Sequence, residues 1–152
     1  MSAIHVLVDA DACPVKDEIY RVAGRYDVLV SIVANAPIRV PPLPQVERVI
    51  VDAGFDAADD WIAERAGPAT IVVTADILLA DRCVKARAIV IGHNGRPFTA
   101  GSIGHAVAQR ALMADLRAME VVSAGPAPFA KADRSRFLSA LDEAINRLRR
   151  QR

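Results

Sequence analysis

Short runs of β-branched and aliphatic residues alternate along the chain with segments in which apolar residues recur at every third or fourth position. The first pattern is typical of buried strands, and the second is typical of helices that bury one face. The predicted strands cover residues 4–9, 28–34, 47–51, 69–74 and 88–91. The predicted helices cover residues 14–25, 57–66, 77–86, 103–119 and 131–150.

The order of these elements predicts an α/β fold. Most strands alternate with helices, and the second strand is apolar almost throughout, as expected for a strand covered on both faces. We therefore expect a three-layer sandwich with a mostly parallel central sheet. The last helix repeats Phe137, Leu141 and Ile145 at helical spacing, so it should pack as an appended C-terminal helix on a single domain spanning residues 1–152.

Composition narrows the class of protein without giving a function. The 152 residues are 53% apolar and carry a net charge of +1, which predicts a sizeable core and no global basic bias towards nucleic acid. No apolar run has the length of a membrane-spanning helix, and no signal-peptide pattern opens the chain. Cys13 and Cys83 stand in unrelated contexts, which favours free thiols and a cytoplasmic location.

Carboxylates stand where two of the predicted strands end. Asp9 ends the first strand, and Asp11 follows it on the turn into the first helix. Asp76 follows the fourth strand in the same way, while Asp59 lies in the first turn of the second helix. Ligands of open α/β sheets bind at the carboxyl ends of strands. We therefore expect these four acids to meet in one crevice if the first and fourth strands are neighbours.

Such a group of acids predicts a site for a hard cation, Mg²⁺ or Mn²⁺, which would offset the repulsion between neighbouring carboxylates. A cation held by Asp9, Asp59 and Asp76 favours metal-assisted phosphoryl transfer, with these three as catalytic residues and Asp11 as a further metal ligand. The structural alternative is that Asp11 caps the first helix and Asp9 accepts N–H bonds from its loop. Whether Asp11, Asp60 and Asp81 belong to the site is left open.

Three further residues are candidates for binding substrate. Residues 35–44 contain four prolines and form a stiff loop that leaves the second strand at its carboxyl end. Asn35 and Arg39 of this loop can reach the crevice, and a guanidinium group matches the geometry of phosphate. Lys16 follows the acidic turn and can contact a phosphate, although a solvated helix lysine is the simpler interpretation.

The segments that carry these residues resemble the YaiI/YqxD family of bacterial proteins of unknown function. The opening motif Val-Asp-Ala-Asp-Ala-Cys-Pro is the most specific of them, and the resemblance covers nearly the whole chain. The matching segments lie at residues 8–14, 35–41, 53–59, 74–77 and 133–137. This family in turn resembles PIN-like nuclease domains, parallel α/β sandwiches of the Rossmann-like kind whose acids bind Mg²⁺ or Mn²⁺ and cleave RNA. By that resemblance Asp9, Asp59 and Asp76 are the catalytic acids, and RNA is the expected partner.

Three functions compete at this point. The first is a metal-dependent ribonuclease, and the second is a phosphatase with Asp9 as nucleophile and Asp11 as acid or base. The phosphatase is disfavoured because Ala-Cys-Pro follows the acid pair in place of the usual Gly-Thr. The third is a non-catalytic binder of RNA, a nucleotide or a partner protein. The apolar residues of the helix over residues 103–119 leave a homodimer open, and the role of the basic C-terminal helix is also left open.

Overall fold

The computed structural model describes residues 3–52, 54, 56–120 and 128–151, which form six strands and five helices. The strands are β1 (His5–Asp9), β2 (Leu29–Ala34), β3 (Val46–Ile50), β4 (Thr70–Val73), β5 (Ile89–Ile91) and β6 (Pro97–Phe98). The helices are α1 (Lys16–Tyr26), α2 (Ala57–Arg65), α3 (Ile77–Lys85), α4 (Ile103–Ala118) and α5 (Lys131–Arg150).

The six strands form one sheet in the order β3-β2-β1-β4-β5-β6. The first five are parallel, and β6 pairs antiparallel with β5. The prediction of a mostly parallel α/β sheet is confirmed. Strand β6 was not predicted, because it has only two residues and begins with a proline, which gives no hydrophobic pattern to recognise.

Helices cover both faces of the sheet, as the three-layer prediction required. Alternate strand residues point to opposite faces, so Val6 and Val8 face α1 and α5 while Leu7 faces α2 and α3. Phe137 and Leu141 of α5 are fully buried, which confirms that the C-terminal helix packs on the body of the protein. Both cysteines are free, as predicted, and the structure shows that both are buried.

Helices α1 and α4 bear on two alternatives that the sequence left open. Helix α1 begins at Lys16, and its N-cap is Val15, which has a non-helical backbone and no side-chain capping bond. The interpretation of Asp11 as the cap of this helix is therefore wrong. Helix α4 buries only Ile103, and Leu112 is exposed, so most of this helix does not pack into the core of the single chain.

No helix in the described part of the chain is long and apolar enough to cross a membrane.

The order of the strands creates a switch point between β1 and β4. These two strands are neighbours, with Val8 opposite Val73, so they end at the same level. The chain leaves β1 towards α1 on one face and leaves β4 towards α3 on the other. Connections that diverge in this way open a crevice at the carboxyl ends of the strands, where ligands of such sheets bind.

Candidate active site

A crevice of about 540 Å³ opens at the carboxyl ends of β1 and β4. We call it the acidic crevice, since the polar side chains that line it are those of Asp9, Asp11, Asn35, Asp56, Asp59 and Asp76. Among the described residues that line it, every charged side chain is a carboxylate. The structure thus brings together the four acids that the sequence predicted to converge.

Thr74 connects the acids at the ends of the two central strands. Its buried hydroxyl donates a hydrogen bond to Asp9 Oδ2 at 2.9 Å and accepts one from the backbone N–H of Asp76 at 3.0 Å. Asp9 therefore takes its hydrogen bond from the neighbouring strand, and not from N–H groups of its own loop as the structural alternative supposed. One hydroxyl fixes the Asp9 carboxylate relative to the start of α3.

Asp76 is the N-cap of α3. Its Oδ1 atom accepts hydrogen bonds from the backbone N–H groups of Leu78 at 2.9 Å and Leu79 at 3.2 Å. One oxygen of Asp9 and one of Asp76 are thus engaged in holding the local structure. Within the described residues no hydrogen bond is made to the other oxygens, Asp9 Oδ1 and Asp76 Oδ2.

The start of α2 supplies Asp56 and Asp59 to the crevice. Asp56 occupies the N-cap position with a left-handed backbone, φ 71°, and its side chain makes no capping bond. Asp60 instead binds Arg82 at 2.8 Å and does not line the crevice. Asp81 is likewise elsewhere, in an ion pair with Lys85 at 2.9 Å.

Burial and mutual repulsion raise the pKa values of two of these acids. Burial raises the pKa of Asp9, the Thr74 hydrogen bond opposes this, and the charges of Asp11 and Asp76 add to it. Burial also raises the pKa of Asp59 to about 6, with further contributions from nearby carboxylates and an opposing one from Arg82. A crevice that disfavours its own negative charge in this way attracts protons or cations.

The donor atoms suit a magnesium-like ion better than a zinc-like one. In the described part of the chain, no group of three or more His, Cys, Asp or Glu side chains is arranged so that it could hold a metal ion. A closed cage of protein ligands is therefore not formed by these residues. Mg²⁺ usually keeps several waters and binds to one or two carboxylates together with substrate phosphate. The carboxylates and the Asn35 amide of the acidic crevice fit that mode of binding.

The predicted substrate-binding residues lie in three different places. Asn35 lines the acidic crevice. Arg39 lines a separate, neighbouring groove formed by the proline-rich loop and Arg48. Lys16 is the first residue of α1 and is not among the residues that line either site. Their roles in binding substrate, like those of the acids in catalysis, stay predictions.

Sequence reasoning missed two residues of the site. Thr74 was recognised only as the end of a strand, because its contact with Asp9 depends on which strands are neighbours. Asp56 precedes a helix, where an acid is usually a cap, so it was interpreted as a cap although three acids within five residues, at positions 56, 59 and 60, exceed what a cap needs. The Thr-Ala-Asp sequence after a buried strand was the available signal for Thr74.

Comparison with known proteins identifies the family. A family model described as "Uncharacterized BCR, YaiI/YqxD family" matches residues 7–147. A UPF0178 protein of Sphingopyxis alaskensis is 63% identical over 151 residues, which cover 99% of this chain and 98% of the relative. A UPF0178 protein of Nitrobacter winogradskyi is also 63% identical, over 150 residues that cover 99% of this chain and 96% of the relative.

No solved structure gives a significant match, so the resemblance to PIN-like domains stays a prediction. The family assignment does not depend on it. It rests on a family model that covers most of the chain and on relatives that are similar over almost their whole length. The chain belongs to the YaiI/YqxD family.

Proposed function

We propose that the protein is a divalent-cation-dependent ribonuclease that hydrolyses phosphodiester bonds in the acidic crevice. The observation that carries the proposal is the convergence of Asp9, Asp11, Asp59 and Asp76 at the switch point between β1 and β4. Acids in such a position can hold a cation, and a cation can hold the phosphate of a polyanionic substrate that these acids alone would repel.

The cation, Mg²⁺ or Mn²⁺, would contact one or two of the carboxylates of Asp9, Asp11, Asp59 and Asp76 together with the substrate phosphate, and it would keep several waters. When bound, the ion would lower the pKa of a water molecule and neutralise charge on the phosphate. The oxygens Asp9 Oδ1 and Asp76 Oδ2, to which no described residue donates a hydrogen bond, are the donor atoms best placed to take part.

The side chains have distinct tasks in this proposal. Thr74 orients the Asp9 carboxylate through its hydrogen bond and thereby fixes one wall of the crevice. Asp59, whose pKa is raised to about 6 by burial and by the neighbouring carboxylates when no cation is bound, would add to the negative charge that favours cation binding. Asn35 would contact the substrate from the loop that follows β2.

The proposal is tested by cleavage of a labelled single-stranded RNA in Mn²⁺ or Mg²⁺ and in EDTA. Asp76→Asn is the informative variant, since asparagine is also a good N-cap and should preserve α3. Asp81→Asn is the matched control, because Asp81 is an acid of the same protein that lies outside the crevice. We expect cation-dependent cleavage by the wild type and the control, and none by Asp76→Asn. Equal cleavage by all three proteins, or cleavage in EDTA, would reject the proposal.

A non-catalytic binder is the second candidate, and one observation favours it. The described carboxylates converge without forming a ready-made group of three metal ligands. If RNA binds but is not cleaved in any divalent cation, the acidic crevice serves recognition and the binder interpretation replaces the nuclease.

A further inference from the structure

A second groove adjoins the acidic crevice on the side of the edge strand β3. It has a volume of about 720 Å³ and is formed by the proline-rich loop after β2 together with Val46 and Arg48 of β3. Its first lining residue, Pro37, follows the crevice residue Asn35 by two positions. Two residues span at most roughly 7 Å, so the loop that supplies Asn35 to the acidic crevice continues directly into the wall of this groove. We call this site the arginine groove.

We propose that the arginine groove binds the sugar-phosphate backbone of a single-stranded RNA whose neighbouring phosphate enters the acidic crevice. This inference rests on the proposed function and extends it by naming the form of the substrate and a residue, Arg48, that anchors it. Its first support is the contrast in charge. An RNA strand needs a positively charged anchor outside the acidic crevice, because the charged residues that line the crevice are all acids.

The charged side chains described in the arginine groove are Arg39 and Arg48, and both are exposed. Neither forms an ion pair with any described residue. Arg48 Nη1 donates a hydrogen bond to the carbonyl oxygen of Ile38 at 3.2 Å, which holds the guanidinium against the loop and leaves its other N–H groups for a ligand. Guanidinium groups match phosphate oxygens in pairs of parallel hydrogen bonds.

The alternation of side chains along β3 keeps the neighbouring acid away from this groove. Glu47 precedes Arg48 and therefore points to the opposite face of the sheet. There its carboxylate accepts a hydrogen bond of 2.7 Å from the hydroxyl of Ser31. The positive charge of Arg48 is thus not cancelled by the acid next to it in sequence.

The walls of the groove favour a single strand over a duplex. Pro37, Ile38, Val40 and Pro41 give it an apolar lining between the two arginines. Bases in a duplex are stacked and paired, so their apolar faces are hidden, whereas a single strand can lay them against a protein surface. The prolines restrict the backbone of the loop, so little conformational entropy should be lost when RNA binds.

The test is the salt dependence of RNA binding, measured by fluorescence anisotropy in EDTA with a labelled single-stranded RNA of mixed sequence. The informative protein is the double variant Arg39→Gln/Arg48→Gln. The control is Arg110→Gln/Arg117→Gln, which removes the same charge from exposed positions of α4. Each lost phosphate contact on a single strand should reduce the magnitude of the slope of log K against log salt concentration by about 0.7. The slope of the groove variant should therefore be smaller in magnitude by about 1.4, and the slope of the control should match that of the wild type.

The single variant Arg39→Gln is a control for folding, because Arg39 makes no hydrogen bond with the described residues and its replacement should leave the fold intact. In this variant the magnitude of the salt-dependence slope should fall by about 0.7. An unchanged slope in the double variant, equal affinity for duplex RNA, or no RNA binding by the wild type would overturn the inference. Failure of the proposed function looks different. If RNA binding depends on the two arginines but no cleavage occurs, the role of the arginine groove is supported and the ribonuclease proposal is rejected. If RNA is cleaved but its binding does not depend on the arginines, the ribonuclease proposal is supported and the role of the groove is rejected.

Discussion

The acidic crevice and the arginine groove adjoin each other but carry opposite charge and are built in different ways. The acids of the crevice stand at the ends of central strands and at helix starts, and Asp9 is fixed by a buried hydroxyl. The arginines stand on an exposed loop and on the edge strand β3. A net charge of +1 conceals this separation. The comparison teaches that the distribution of charge, and not its total, predicts what the surface can bind.

The difference in construction implies a division of tasks. A carboxylate held by buried hydrogen bonds has a defined position, which chemistry requires. An exposed arginine has more freedom and contributes mainly to affinity and to the rate of association. Changes in the crevice should therefore alter the proposed cleavage, and changes in the groove should alter the proposed binding of RNA.

The largest effect is expected from Thr74→Val, which removes the hydroxyl between Asp9 and Asp76. The Asp9 carboxylate and the Asp76 N–H then lose a buried partner, so the free energy of unfolding should fall by about 1–3 kcal/mol. Cleavage should fall by at least about tenfold, because Asp9 is no longer oriented. Urea unfolding and the RNA cleavage assay measure the two effects. Thr74→Ser keeps the hydroxyl and should behave like the wild type. If Thr74→Val and Thr74→Ser had the same stability and activity, the hydroxyl of Thr74 would have no role in the site.

A smaller effect is expected from Asp59→Asn on stability. The folded-state pKa of Asp59, about 6, lies above its ordinary value of 3.8, so the folded protein binds the proton more tightly than the unfolded chain. The free energy of unfolding therefore falls as the pH rises from about 4 to about 6 and Asp59 becomes ionised, and the loss stays constant above that range. Asp59→Asn should raise the free energy of unfolding at pH 7 by about 1 kcal/mol, below the full linkage value because the side chain is partly exposed.

Urea unfolding at pH 4 and pH 7 measures this effect, and Asp60→Asn is its control. Asp60 lies next to Asp59 but pairs with Arg82 outside the crevice, so its replacement should be neutral or slightly destabilising. If Asp59→Asn were no more stable than Asp60→Asn at pH 7, the acids would not repel each other as described.

The smallest effect is expected for RNA binding without a divalent cation. If RNA spans both sites as proposed, the acidic crevice then repels the phosphate that follows the arginine groove, so Asp9→Asn/Asp59→Asn should bind RNA a few-fold more tightly than the wild type in EDTA. Anisotropy at low salt measures the change, and Asp81→Asn is the control. Weaker binding by the crevice variant would show that the two sites do not share one strand of RNA.

The sequence predicted the parts of this account that depend on local pattern. Residues such as Val8 and Val73 stand in apolar runs whose ends are visible, so the acids that follow them could be assigned to one edge of the sheet. The bounds of α5 were predicted correctly from its apolar spacing. Local reasoning failed where contacts cross the sheet. The bond from Thr74 to Asp9 joins residues 65 positions apart.

The same limit explains the outcome for the remaining charged residues. Asp59 and Asp60 are adjacent in sequence; Asp59 was predicted to line the crevice, but only the packing of α2 shows that Asp60 pairs with Arg82 outside it. Arg48 was not recognised as a candidate because nothing in its own segment places it beside the loop that carries Arg39. Both assignments require knowledge of which helices, strands and loops pack against each other, and a single sequence does not give that information.

The most direct test of the central claim is calorimetric titration of Mn²⁺ into the wild type, Asp9→Asn, Asp76→Asn and the control Asp81→Asn. It needs no assumption about the sequence or length of the substrate. If the acidic crevice is a cation site, the wild type and the control bind Mn²⁺ and both crevice variants lose it. Binding that survives in Asp9→Asn and Asp76→Asn, or no binding by the wild type at millimolar Mn²⁺, would contradict the account.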